Sequence, residues 1–231
     1  MVDAALFDVD GTLVDSVDLH AQAWQEAFSW YGKQISFLAI REQIGKGGDQ
    51  LMPEFLSQEE IDSFGDELAE RRTKHYLETY MPQVKAFPKV QDLLKALWER
   101  DVRVALATSA KDEELAQLKA LLGANEFIVA ETTKDDVQRS KPYPDIFAAA
   151  LERVGNPSPV RAAVIGDSPY DAEAAGKLGV QAIGLLSGGF TAESLLNAGC
   201  KVLYRDPAEL WETLESSLLL TKTKKASAHL A

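Results

Sequence analysis

Short apolar runs alternate with helix-length segments along most of this chain, and that alternation leaves few folds open to it. The runs are Ala4–Phe7, Val102–Ala107, Glu126–Ala130, Ala162–Ile165, Val180–Gly184 and, more weakly, Lys201–Tyr204. Between and after them lie Val90–Arg100, Glu113–Leu122, Pro144–Val154, Asp171–Leu178 and Glu193–Ala198. Strand, helix, strand in that order is the βαβ signature of a parallel sheet with helices on both faces. Continuous apolar runs suit strands covered on both sides. The expected fold class is therefore α/β, a doubly wound parallel sheet. Its ligands should gather beyond the carboxyl ends of the strands.

The alternation breaks once, after Phe7. The stretch up to Val102 has helical periodicity, no convincing strand and far more chain than a crossover needs. Val17–Tyr31 places His20, Ala23/Trp24, Ala27/Phe28 and Tyr31 at helical spacing, with Asp15 or Ser16 as N-cap. Glu59–Tyr80 reads as a second long amphipathic stretch. The expected organisation is a core of residues 1–14 and 85–220, an inserted α-helical cap of 15–84, and a flexible tail of 221–231. A chain of 231 residues suits one core carrying one inserted lobe.

Charge and cysteine content narrow the function. Against 24 Lys+Arg stand 36 Asp+Glu, a net charge of −12, and no basic stripe offsets it. Nucleic acid and anionic membranes are therefore excluded as expected partners. The lone Cys200 cannot form an intrachain disulfide, and Met1–Phe7 lacks a basic n-region and a long apolar h-region. A cytoplasmic protein is expected, as a monomer or weak dimer.

The residues at the strand ends carry the chemistry. After the first run stands Asp8-Val9-Asp10-Gly11-Thr12, after the second Thr108-Ser109, after the fourth Gly166-Asp167-Ser168-Pro169-Tyr170-Asp171. Lys141-Pro142 precedes a helix between the last two. Each is ordinary alone, since Asp favours turns and helix starts, and Asp167 could simply N-cap the helix behind it. Together they set carboxylates, hydroxyls and a lysine along one sheet edge. Clustered carboxylates call for a hard divalent cation, while hydroxyls, helix-start N–H groups and lysine suit phosphate oxygens, so a small-molecule phosphate ester is the expected partner.

On these motifs the chain is identified as a member of the haloacid dehalogenase-like superfamily, in the subgroup with a helical cap, similar to phosphoglycolate phosphatase and beta-phosphoglucomutase-like proteins. The resemblance spans nearly the whole chain: D-x-D-G-T at Asp8–Thr12, a strand ending in Thr-Ser at Thr108-Ser109, Lys141-Pro142, and G-D-S-x-x-D at Gly166–Asp171. It implies a Rossmann-like core and a Mg²⁺-dependent phosphatase acting through an aspartyl-phosphate. Asp8 would be the nucleophile and Asp10 the general acid and base. Thr108, Ser109 and Lys141 would hold the phosphoryl group, and Asp8, Asp10 (by its backbone carbonyl), Asp167 and Asp171 would surround the metal.

Specificity candidates are His20 and Trp24, one helical turn apart, and Lys46 with Gly47 in the turn Gln43–Asp49. Arg41 reads as a solvated helix charge, and Gly188-Gly189-Phe190 as a turn or part of the site wall. Asp10 argues against dehalogenation, which has no leaving alcohol to protonate. The enzymatic alternative is a beta-phosphoglucomutase-like mutase, which typically carries an arginine in its cap for a second phosphate. The matching stretch here, Gly45–Leu51, has Lys46 and no arginine. The other alternative is an inactive binding module, which the intact Asp8, Asp10, Lys141 and Asp167 disfavour.

Overall fold

The computed structural model describes residues 1–221, so all but the first residue of the expected tail lies outside the described residues. The first half of the chain runs β1 (Ala4–Phe7), β2 (Val14–Asp15), α1 (Val17–Trp30), α2 (Phe37–Arg41), α3 (Gly48–Leu51), α4 (Gln58–Glu60), α5 (Asp66–His75), β3 (Lys85–Ala86), α6 (Val90–Trp98) and β4 (Arg103–Ala107). The second runs α7 (Asp112–Leu122), β5 (Ile128–Thr132), α8 (Asp145–Arg153), β6 (Ala162–Gly166), α9 (Pro169–Lys177), β7 (Gln181–Leu185), α10 (Ala192–Ala198), β8 (Cys200–Tyr204) and α11 (Pro207–Glu212).

Six strands form one parallel sheet in the order β5-β4-β1-β6-β7-β8. Side chains alternate across it as strand geometry requires. Ala5, Phe7, Val104 and Leu106 point into a core closed by Leu93 and Leu97 of α6 and Leu115 and Leu118 of α7. Ala4, Leu6, Ala105 and Ala107 point the other way, onto Ile146 and Phe147 of α8 and Ala174 and Ala175 of α9. Apolar cover on both faces explains the uninterrupted hydrophobic runs.

Register positions the chemistry. Phe7 lies level with Leu106 of β4 and Ile165 of β6, so the residues after β1, β4 and β6 emerge together at one edge. The order 4-1-6 makes β1 central, and Asp8 leaves from the middle of the sheet.

Helices α1–α5 pack on a separate apolar cluster that includes Ala21, Trp24, Phe28, Ile40, Leu51 and Leu68. Three details differ from expectation. Ser16 does occupy the N-cap of α1, but its hydroxyl makes no cap bond. The stretch from Gln58 to Tyr80 is not one uniform helix, because Ile61–Gly65 and Tyr76–Tyr80 take wider π turns. The two ends of this helical segment form a short antiparallel ribbon, Val14 opposite Ala86 and Asp15 opposite Lys85, where no strand was expected. Among the described residues no helix is long and apolar enough to cross a membrane.

Candidate active site

The site begins where β1 ends. The Asp8 amide still donates to the Ile165 carbonyl at 2.9 Å, holding the carboxylate at the sheet edge, where the residue is only 3 % exposed. Gly11 then turns the chain at φ +79°, a left-handed conformation that glycine adopts freely. A Cβ at that position would strike the Asp167 carboxylate. Thr12, one residue on, donates from Oγ1 to Asp167 Oδ1 at 2.8 Å, tying the β1 and β6 loops together.

Behind Asp8 lies Lys141, buried, its ammonium paired with Asp8 and, at 2.8 Å, with Asp171 Oδ1. Asp171 is held in turn by a capping box at the start of α9: its Oδ2 accepts from the Ser168 amide at 3.1 Å and hydroxyl at 2.6 Å. The N-cap of that helix is thus Ser168 and not Asp167, which leaves Asp167 free to face Asp8.

Asp8, Asp167 and Asp171 are all buried, each with an oxygen within 4.8 Å of the others'. Burial holds the Asp8 carboxyl up at about 7, with Asp171 and Asp10 adding to the effect and Lys141 opposing it. Burial pushes Asp167 well above the ordinary range too, helped by Asp8 and Asp171. For Lys141 burial works against the charge, but Asp171 and Asp8 overcome it and the ammonium is strengthened. Three buried carboxylates against one ammonium are electrostatically incomplete. Hard oxygen donors with a surplus of negative charge fit a divalent cation.

Asp10 experiences the opposite environment. Burial again opposes ionisation, but the His20 ring, bonded at 2.9 Å, and the Ser16 hydroxyl, donating at 2.6 Å, bring its carboxyl down to about 2. Two carboxyls two residues apart are therefore driven in opposite directions, a pattern associated with division of roles at active sites.

Asp8 and Asp10 open into a cavity of about 530 Å³, and His20, Trp24, Lys46 and Gly47 line it from the helical segment. Ser109 lines it from the core, with a buried hydroxyl that makes no hydrogen bond. Thr108 is buried beneath, its Oγ1 accepting from the Ala110 amide at 3.0 Å and 3.5 Å from Asp10 Oδ2. The structure therefore brings every expected site residue together, though not all reach the cavity: Thr108, Lys141, Asp167 and Asp171 form its buried support. Lys46 is already committed to Glu54 at 2.7 Å and Gln43 at 2.6 Å. Arg41 is not a free solvated charge: it bonds Asp18 at 2.6 Å and the Gly188 carbonyl at 3.1 Å.

Sequence reasoning missed Thr12, Ser16, Arg72 and Glu114. The last two left a usable signal. Arg72 falls between Leu68 and Tyr76 at i, i+4 spacing, and Glu114 precedes Leu118 by four, so both are charged residues on otherwise apolar helical stripes.

Fold, sheet-edge carboxylates and buried lysine define one class of enzyme. The haloacid dehalogenase-like hydrolase family profile matches residues 5–185, and the chain belongs to that family. A crystal structure of a hydrolase from Pseudomonas syringae superposes with a TM-score of 0.85 at 31% identity, covering 94% of this chain and 99% of that one. A phosphorylated carbohydrates phosphatase of Thermotoga maritima is 27% identical over 94% of this chain and all of its own. A phosphoglycolate phosphatase of Aquifex aeolicus is 28% identical over 76% of this chain and 81% of its own.

Proposed function

We propose that the protein is a Mg²⁺-dependent phosphatase that hydrolyses a small phosphomonoester, a sugar phosphate or a phosphoglycolate-like compound, through a phosphorylated Asp8. The observation that carries this reading is the opposed pair at the cavity floor, Asp8 against Lys141 and Asp10 against Ser16 and His20. The phosphatase names of two similar chains support it. Residues 15–84 serve as a cap over the carboxyl edge of the sheet.

The Asp8 and Asp167 carboxylates and the Asp10 backbone carbonyl would hold the metal, with Asp171 at their back. Bound there, Mg²⁺ supplies positive charge that favours ionised Asp8 and offsets its repulsion from a phosphate dianion. Lys141 adds to that offset, while the Ser109 hydroxyl, without a partner at the cavity wall, offers a donor to a phosphoryl oxygen and Thr108 supports the loop from beneath. Asp8 attacks phosphorus and the ester oxygen leaves, taking a proton from Asp10. Asp10, again a carboxylate, takes a proton from the water that attacks phospho-Asp8, releasing phosphate. The proton gained in that step is the one delivered to the next leaving alcohol. Arrival of an anionic phosphate beside Asp10 raises its affinity for that proton.

Turnover of p-nitrophenyl phosphate tests the reading. Activity should require Mg²⁺, disappear with EDTA, and fall by about 10⁴-fold or more in Asp8→Asn, the scale expected when a covalent nucleophile is lost. Full activity in Asp8→Asn would sink the mechanism. Accumulation of glucose 6-phosphate from beta-glucose 1-phosphate, in place of free phosphate, would favour the mutase. The commitment of Lys46 to Glu54 and Gln43 makes that outcome unexpected.

A further inference from the structure

Above Asp10, the cavity wall holds two buried charged groups that the proposed chemistry does not use. Arg72 of α5 is 8 % exposed, and Glu114 of α7 is 3 % exposed. They come from opposite sides, one from the helical segment and one from the core, and both line the cavity. Neither is neutralised by an ion pair to a carboxylate or ammonium among the described residues.

Their hydrogen-bonding needs are unmet in complementary ways. The Arg72 guanidinium lies 5.1 Å from the Trp24 ring centre and 4.9 Å from that of Tyr76, and it donates to His20 Nδ1. Its Nε–H is buried and has no acceptor. Because a guanidinium only donates, His20 Nδ1 must accept, which puts the ring proton on Nε2. That proton goes to Asp10 Oδ1, 2.9 Å away. Glu114 Oε1 lies 3.5 Å from the same Nε2, which is already committed, and it too is buried without a hydrogen bond. One group lacks an acceptor and the other lacks a donor, a combination that costs stability until something supplies both.

A hydroxyl supplies both, and a pair of neighbouring hydroxyls can satisfy both groups together. A carboxylate or second phosphate can meet only the guanidinium, and would meet acidic groups around it. Asp66, Glu70 and Glu114 line the same cavity, with Asp10 below. Two of the nearby cations are engaged, Lys46 with Glu54 and Lys134 with Asp49 at 3.2 Å. The third, Lys111, stands exposed at the rim. Trp24 adds an apolar face against which a sugar ring's C–H surface can lie.

Resting on the phosphatase reading, we infer that the leaving group is an uncharged polyhydroxylated one, and that Glu114 and Arg72 determine this specificity by accepting from and donating to its hydroxyls. The substrate class is thus the monophosphate of a sugar or polyol, not of a hydroxy acid.

Two measurements test this, with fructose 1-phosphate and phosphoglycolate as probes. In the Asp8→Asn protein with Mg²⁺, calorimetry should give fructose 1-phosphate a Kd at least tenfold below that of phosphoglycolate, and Glu114→Ala added to that background should remove the difference. In the active enzyme, kcat/KM for fructose 1-phosphate should exceed that for phosphoglycolate at least tenfold, and Glu114→Leu, of similar size and without an acceptor, should lower this ratio at least tenfold. A general loss transmitted through His20 or Asp10 cancels in the ratio. Preference for phosphoglycolate, or a ratio unchanged in Glu114→Leu, overturns the inference while p-nitrophenyl phosphate turnover leaves the phosphatase reading standing. Absence of any p-nitrophenyl phosphate turnover overturns that reading, and the binding arm then decides the ligand class by itself.

Discussion

Ser16 shows how one hydroxyl is divided between structure and chemistry. A serine before a helix ordinarily satisfies an amide of the first turn, yet this one donates to Asp10 at 2.6 Å. Ser16→Ala should therefore leave α1 almost as stable while lowering turnover about tenfold, the scale of one hydrogen bond to a charged group. Removing a donor to the carboxylate raises its proton affinity, so the acidic limb of the kcat–pH profile should move up by about one pH unit. An unshifted limb would show that Ser16 does not hold the catalytic form of Asp10. At this scale much of the site was legible beforehand. Asp8, Asp10, Lys141 and Asp167 stand next to strand or helix boundaries, where spacing exposes them. Arg72 and Glu114 sit within helices, and only the fold reveals that their apolar stripes converge on a polar cavity.

Among the glycines, Gly188 in the turn after β7 has the least room for a side chain. A Cβ at Gly188 would occupy the position of the Asp167 carboxylate, so the absence of a side chain there is what lets Asp167 face Asp8. Gly188→Ala should keep the sheet intact but weaken Mg²⁺ at least tenfold, read from the Mg²⁺ concentration that half-activates p-nitrophenyl phosphate turnover. Unaltered Mg²⁺ dependence would place the metal away from Asp167. The sheet strands and long helices were readable because burial on two faces writes itself into composition and period. The β2–β3 ribbon was not, since two residues per strand carry no periodicity. The π turns at Ile61–Gly65 and Tyr76–Tyr80 escaped for a similar reason: one extra residue per turn changes phase without changing amphipathic character.

Over the whole molecule, the buried carboxylates set a pH dependence opposite to the usual one. Asp8 binds its proton more tightly folded, near 7, than its ordinary value of 3.8. Asp167 and Glu114 are raised as well, both chiefly by burial. In the window between about 4 and 7 the folded state then carries more protons than the unfolded one, and stability falls as pH rises through it. Asp10 has the contrary sign, but its contribution is complete above about 4 and lost only below, towards 2. Metal-free protein in EDTA should melt several degrees lower at pH 7.5 than at pH 5.5, since about 1 kcal/mol moves Tm by about 2–4 °C at this size. Saturating Mg²⁺ should abolish or reverse the difference, and calorimetric melts at both pH values would decide it. A metal-free Tm that rises with pH would remove the uncompensated-carboxylate account.

The ribbon of Val14–Asp15 against Lys85–Ala86 has a bearing on how such a chain can be remodelled. Paired strands stand only about 4.8 Å apart, so the chain leaves the sheet and returns to it through neighbouring points. Everything between those points hangs from one closed junction, with Ser16 and His20 reaching back from it to Asp10. A two-residue Asn-Gly link could close the ribbon as a hairpin. Longer or shorter helical cassettes could be grafted onto the same two stubs, exchanging the wall around Arg72 and Trp24, provided that Ser16 and His20 are kept to hold Asp10.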